Sequence, residues 1–129
     1  MNPDELIEAA RKALDHAHAP YSGYRVGAAL LCMDGTVFSG CNVENASYGL
    51  TNCAERTAVF SAIAAGQTKF SAIAIAASNE PVPFPCGACR QVLAEFCTPE
   101  LPVHVARGAG FETLTLGELL PHTFGGSDG

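Results

Sequence analysis

Residues 70–77 read Phe70-Ser71-Ala72-Ile73-Ala74-Ile75-Ala76-Ala77, a nearly continuous apolar run. A run of that length and character predicts a central strand covered on both faces, which requires helices on each side of a sheet. Upstream of it, Asn52 is placed to cap a helix over Cys53 to Ala65, closed by Gly66 in a left-handed position. Downstream, Pro81, Pro83 and Pro85 make a stiff loop, and Cys86 to Phe96 reads as a further helix. Leu101 to Arg107 is a strand, Gly108-Ala109-Gly110 a turn, and Glu112 to Leu116 a short edge strand. Gly117 to Leu120 forms a last helical turn before Pro121. Towards the amino end, Tyr24 to Met33 and Thr36 to Cys41 are strands joined at Asp34-Gly35, a two-residue hairpin signal. A polar loop follows from Asn42 to Asn52. Asn2, Pro3 and Glu5 spell a capping box, and Leu6, Ala10, Ala13, Leu14 and Ala17 recur at helical spacing through about His18. Strands alternating with helices in mid-chain imply crossovers and parallel neighbours, after an antiparallel hairpin. The expected fold is a three-layer α/β/α domain around a mixed five-stranded sheet.

The 129 residues suit one domain spanning 1–129, with a mobile tail from about Gly125 to Gly129. Hydrophobic residues make up 48% and charged residues 16%. That balance is apolar for a short chain with much surface, and it points to a face buried against other subunits. Seven Lys and Arg against a net charge of −6 leave no basic stripe, so nucleic acid is disfavoured as a partner. Met1-Asn2-Pro3-Asp4-Glu5 lacks the basic segment and apolar run of a signal peptide, and no stretch approaches a membrane span. The expectation is a soluble, cytoplasmic protein whose six cysteines are metal ligands or core thiols rather than disulfides.

Cys53-Ala54-Glu55 and Pro85-Cys86-Gly87-Ala88-Cys89 each fall at a predicted helix start. The i, i+3 spacing of Cys86 and Cys89 turns both thiols to one face, where they can grip one ion. A helix amino terminus carries partial positive charge and favours thiolates. Three thiolates leave a tetrahedral Zn²⁺ one open position, the pattern of a catalytic centre. A lone Cys-x-x-Cys would read equally as a structural zinc clip or a redox pair. Cys-x-Glu followed by Pro-Cys-x-x-Cys matches the signature of the zinc deaminases, in which the glutamate carries protons and is not a ligand.

Further segments carry a closer resemblance. Val26-Gly27-Ala28-Ala29-Leu30, Gly40-Cys41-Asn42-Val43-Glu44-Asn45-Ala46-Ser47-Tyr48-Gly49, Cys53-Ala54-Glu55-Arg56-Thr57-Ala58 and Pro85-Cys86-Gly87-Ala88-Cys89-Arg90-Gln91-Val92-Leu93 resemble the homotetrameric cytidine deaminases. The similarity runs from the first helix to Phe124. Deaminases acting on deoxycytidylate or nucleic acids usually have His where Cys53 stands. The resemblance implies a cytidine deaminase-like fold, one zinc per subunit on Cys53, Cys86 and Cys89, and Glu55 as the proton carrier in hydrolysis of cytidine or deoxycytidine. Three thiolates on a dication leave net negative charge, and Arg56 resembles the residue that hydrogen-bonds them. Asn42 and Glu44 match residues that bind the sugar, and the Ala54 amide matches one that holds the pyrimidine. Tyr24 stands where the family often has phenylalanine against the base, so its hydroxyl offers a new polar contact. Tyr48 and Phe124 match aromatics that enter a neighbouring subunit's site.

Arg90 reads equally as a partner of the zinc site or as surface. Cys32, Cys41 and Cys97 read as buried thiols, and His16, His18, His104 and His122 as surface residues. A deaminase of modified cytosine nucleosides would need a different sugar-side loop, and a non-catalytic zinc module would need a fourth thiolate.

Overall fold

The computed structural model describes residues 1–125. The first helix begins as the sequence predicts. Helix α1 (Pro3–Ala13) starts at an Asn2 cap: Asn2 Oδ1 accepts the Glu5 amide and Glu5 Oε1 accepts the Asn2 amide, each at 2.9 Å. It ends earlier than expected, in a 3₁₀ turn over Leu14–His16, with Ala17 extended. The His18 amide is drawn instead to the Asn42 carbonyl at 3.0 Å, and a chain so engaged cannot stay helical to His18.

Strands β1 (Val26–Cys32) and β2 (Val37–Cys41) form the hairpin. Its connection is a three-residue loop rather than the two-residue turn expected. The Cys32 amide bonds the Thr36 carbonyl at 2.8 Å and the Gly35 amide bonds the Cys32 carbonyl at 3.0 Å. Met33 therefore belongs to the loop. Gly35, at φ +93°, supplies the left-handed residue that such a loop needs in third position.

Helix α2 (Ala54–Ala64) begins one residue later than predicted, because Cys53, extended at φ −79° and ψ 158°, is the capping residue. The Asn52 side chain turns away to Thr57 Oγ1 at 3.4 Å. Gly66 stands just past the helix with φ +91°, as expected. Strand β3 (Phe70–Ala77), helix α3 (Gly87–Phe96), strands β4 (Pro102–Arg107) and β5 (Gly110–Thr115) and helix α4 (Leu116–Leu119) complete the order. Thr115 and Glu118 form a second capping box, which starts α4 one residue before the predicted turn. Residues 126–129, most of the expected tail, lie outside the described residues.

The sheet runs β2-β1-β3-β4-β5. Only β3 and β4 are parallel neighbours. The α2 crossover joins β2 to β3, and β1 lies between them, antiparallel to both. Ile73 and Ile75 of β3 pack into one core with Ala58 and Val59 of α2 and Leu93 of α3. Ala74 and Ala76 pack into another with Leu6, Ile7 and Ala10 of α1. The arrangement is the expected three-layer α/β/α fold with a mixed five-stranded sheet. Each fully buried Ile or Leu contributes about 1.5–3 kcal/mol to holding the layers together. A register shift at Leu31 and Cys32 adds Phe70 to the isoleucine-side core.

Gly40 of β2 carries no side chain because there is no space for one. A Cβ there would lie 2.4 Å from the Ala54 carbonyl and 2.5 Å from the Ala58 amide. The start of α2 thus rests directly on the strand. Cys32 and Cys97 are buried as expected, while Cys41 is half-buried. His104 departs from its expected surface position. It is buried on β4, with Nδ1 at 2.8 Å from Thr113 Oγ1 and its ring edge-on to Phe111, and burial lowers its pKa. Among the described residues no helix is long and apolar enough to cross a membrane.

Candidate active site

Two helix starts meet on the α2–α3 side of the sheet. Cys53 caps α2 and Cys86 caps α3, both in extended backbone, and Cys89 lies in the first turn of α3. The Cys86 sulfur also accepts the Cys89 amide at 3.5 Å. The Sγ atoms of Cys53 and Cys86 are 3.8 Å apart, those of Cys86 and Cys89 3.4 Å, and all three lie within 4.8 Å of one another. A tetrahedral ion with sulfur at about 2.3 Å requires S···S separations of about 3.8 Å. The donor set therefore fits Zn²⁺. None of the six cysteines, all among the described residues, is in a disulfide.

The thiols are electrostatically unequal. A hydrogen bond from Cys89 and the guanidinium of Arg56 hold Cys53 down to about 5 against the opposing cost of burial. Cys89, buried and donating to Cys53, is pushed far up. Arg56 Nη2 lies 3.4 Å from Cys53 Sγ, and its Nε is buried with no hydrogen-bond partner among the described residues. The expected pairing of Arg56 with a thiol is present.

Glu55, the second residue of α2, is 5% exposed. Burial raises its carboxyl to about 7, with the Cys53 charge acting in the same direction. A carboxyl poised near neutrality can take and return a proton at working pH.

Glu55 opens onto a cavity of about 340 Å³ that also touches Cys53, Cys86, Ala54, Tyr24, Asn42 and Glu44. Ala54 is wholly buried at the first position of α2. Asn42 is buried, and its Oδ1 accepts the Val26 amide at 2.9 Å while Nδ2 donates to the Tyr24 carbonyl at 2.8 Å. One amide hydrogen remains uncommitted by these bonds. Glu44 Oε1 accepts the amides of Tyr21 and Ser22 at 3.0 and 3.1 Å, and Oε2 accepts the Ser22 hydroxyl. The Ser22 hydroxyl bond leads the contacts that lower its pKa, so it stays a carboxylate with about one acceptor position left. Tyr24 is half-buried, and its hydroxyl donates to the Pro81 carbonyl, the new polar contact that the sequence suggests.

Tyr48 and Phe124 stand apart from this cavity in their own chain. Tyr48 is 75% exposed, edge-on to Tyr21 at 6.0 Å, in a shallower pocket beside Glu44. Phe124 is 89% exposed, and its backbone pairs with the Gln91 side-chain amide. Arg90 proves to be neither a thiol partner nor a loose surface residue. Its Nε donates to the Pro85 carbonyl and its Nη1 to the Leu119 carbonyl, both at 2.6 Å. Sequence reasoning missed the far wall of the cavity, Pro81 to Phe84, and the Ser22 anchor. The clustered prolines immediately before Cys86 were the available signal.

Three thiols beside a buried carboxylate, at the head of a cavity with polar and apolar walls, define a metal-dependent hydrolytic centre. The zinc-binding region of cytidine and deoxycytidylate deaminases matches residues 1–105. The cytidine deaminase of Sporosarcina psychrophila is 48% identical over 129 residues, covering 99% of this chain and 95% of the relative. That of Halalkalibacterium halodurans is 50% identical over 130 residues, covering 99% and 98%. The crystal structure of cytidine deaminase from Burkholderia pseudomallei superposes with a TM-score of 0.91 at 52% identity, covering 96% of this chain and all of the other. The chain belongs to the cytidine deaminase family, whose zinc-binding region it carries.

Proposed function

We propose that this chain is a zinc-dependent cytidine deaminase that hydrolyses cytidine and deoxycytidine to uridine and deoxyuridine with release of ammonia. The observation that carries this reading is Glu55, a buried carboxyl raised to about 7, facing the same cavity as two of the three clustered thiols. Cys53, Cys86 and Cys89 would hold the ion, and Arg56 offsets the excess thiolate charge through Cys53. When bound, zinc supplies Lewis-acid activation of water at neutral pH.

The chain's own residues do the rest. The Glu55 carboxylate takes a proton from the attacking water and gives it to ring N3. Oxygen bonds to C4, Glu55 takes the remaining proton from that oxygen and delivers it to the exocyclic nitrogen, and the C4–N bond breaks to release ammonia as the C4 carbonyl forms. The remaining amide hydrogen of Asn42 and the remaining acceptor position of Glu44 suit sugar hydroxyls. A fixed carboxylate there repels a phosphate, which favours a nucleoside over a nucleotide. The Ala54 amide and the Tyr24 ring hold the pyrimidine. Tyr48 and Phe124 complete the site of a neighbouring copy in a homotetramer, a reading supported by their exposure. A chain with six cysteines and no disulfide suits the reducing cytoplasm. Residues 1–129 act as a single deaminase domain.

The test is an ultraviolet assay on cytidine with the purified protein, before and after chelation and again after zinc is restored. Activity should vanish and return with the metal. Full activity in exhaustively chelated protein would overturn the reading.

A further inference from the structure

The wall opposite Asn42 and Glu44 is a segment with almost no means of holding itself. Between residues 81 and 85, Pro81, Pro83 and Pro85 have no amide hydrogen, so only Val82 and Phe84 can donate. The Phe84 amide is spent within the loop, on the Val82 carbonyl at 2.9 Å. Pro83 and Pro85 are buried and Val82 packs against the main core, which fixes the loop's depth. Among the described residues, two hydrogen bonds tie residues 81–85 to the rest of the chain, and both use its carbonyls. Arg90 takes Pro85 at 2.6 Å, next to the thiols. The Tyr24 hydroxyl takes Pro81, at the far end.

Tyr24 is well anchored to hold that end. Its amide donates to Ser22 Oγ at 3.0 Å, and its carbonyl accepts Asn42 Nδ2 at 2.8 Å. Ser22 is itself bound to Glu44. The side chain therefore runs from the sugar-side wall across the cavity to the proline wall, and both walls line the same space. A hydrogen bond joining two walls of a slot sets the width of that slot.

We infer that the Tyr24 hydroxyl is a latch that fixes the proline loop and so sets the width of the slot for a flat heterocycle. Tyr24 acts as a positioning residue in this respect, separately from any contact of its ring with the base. The inference rests on the nucleoside reading for the identity of the heterocycle, but the latch itself does not.

The test is Tyr24→Phe, which keeps the ring and removes only the hydroxyl, studied in zinc-loaded protein. Hydrogen exchange, followed by mass spectrometry without substrate, should show the amides of residues 79–84 exchanging roughly three- to tenfold faster, the yield of one lost hydrogen bond. Amides of α1 and β4 should be unchanged. With cytidine, KM should rise by a similar factor while kcat moves much less, because Glu55 is held by the start of α2 and not by the loop. Unchanged exchange in residues 79–84 would overturn the latch. Faster exchange throughout the chain would also overturn it, by making Tyr24 a general packing residue. Faster loop exchange with unchanged KM would remove its role in substrate fit. A wild-type protein inactive on cytidine would count against the nucleoside reading, and the exchange measurement would still decide the latch.

Discussion

Glu55 carries two burdens that one substitution separates. It is the proposed proton carrier, and it is a carboxyl kept out of water. Glu55→Gln preserves shape and removes the proton chemistry, so kcat should fall by about 10² to 10⁴ while zinc content stays at one per subunit. The same change should stabilise the metal-free protein at alkaline pH. The unfolded carboxyl ionises near 4.5 and the folded one near 7. Below about 4.5 both states are protonated and nothing is lost. As pH rises to 7 the unfolded state alone releases its proton, and stability declines by an amount on the order of 3 kcal/mol. Urea titrations of chelated protein should show that decline between pH 4.5 and 7 in the wild type. It should be much reduced in Glu55→Gln, and parallel curves would mean that burial is not what holds the proton.

At the scale of elements, the site depends on how closely α2 sits on β2. Gly40→Ala would push a methyl to 2.4 Å from the Ala54 carbonyl, so the helix start must move. Overpacking of this kind costs about 1–3 kcal/mol. Because Cys53 and Glu55 ride on that start, melting temperature and zinc retention should fall together, measured by calorimetry and elemental analysis. A Gly40→Ala protein with wild-type zinc and activity would show that α2 can shift without disturbing the thiols. Much of this framework was legible in the residues. The Phe70–Ala77 run, the Asn2 capping box and the two cysteine motifs are local signals, and each led to the right element. What escaped was decided by contacts across the fold. The Cys32–Thr36 pairing that makes a three-residue loop depends on strand register, and the burial of His104 depends on the layers covering β4. The cap fell on Cys53 rather than Asn52 because Thr57 engages the asparagine. Of the site, Cys53, Glu55, Cys86 and Cys89 could be read from spacing and signature. The proline wall offered only its clustered prolines as a signal, because its place in the cavity arises only when β1, β2 and β3 are assembled.

Among the described residues of the whole molecule, several large apolar side chains face solvent in the lone chain. Tyr48, Leu50 and Phe124 are 75%, 71% and 89% exposed, and none of them lines its own chain's cavity. Small nucleosides offer few atoms to grip, so enclosure by a neighbour's rings is an economical way to bind them. Sedimentation should show a tetramer, and Phe124→Ala should weaken cytidine binding with zinc intact. Mixed Glu55→Gln and Phe124→Ala subunits should recover activity at sites that pair an intact Glu55 with an intact Phe124. A fully active monomer would defeat the shared site. The Arg90 and Gln91 contacts carry a practical message for anyone handling this protein. The helix that bears Cys86 and Cys89 reaches out to hold the Leu119 carbonyl and the Phe124 backbone, so the carboxyl end is mechanically coupled to the metal centre. An affinity tag or fusion partner placed there would bear on the helix that carries Cys89. The amino end, on the opposite layer of the sheet, is the safer handle.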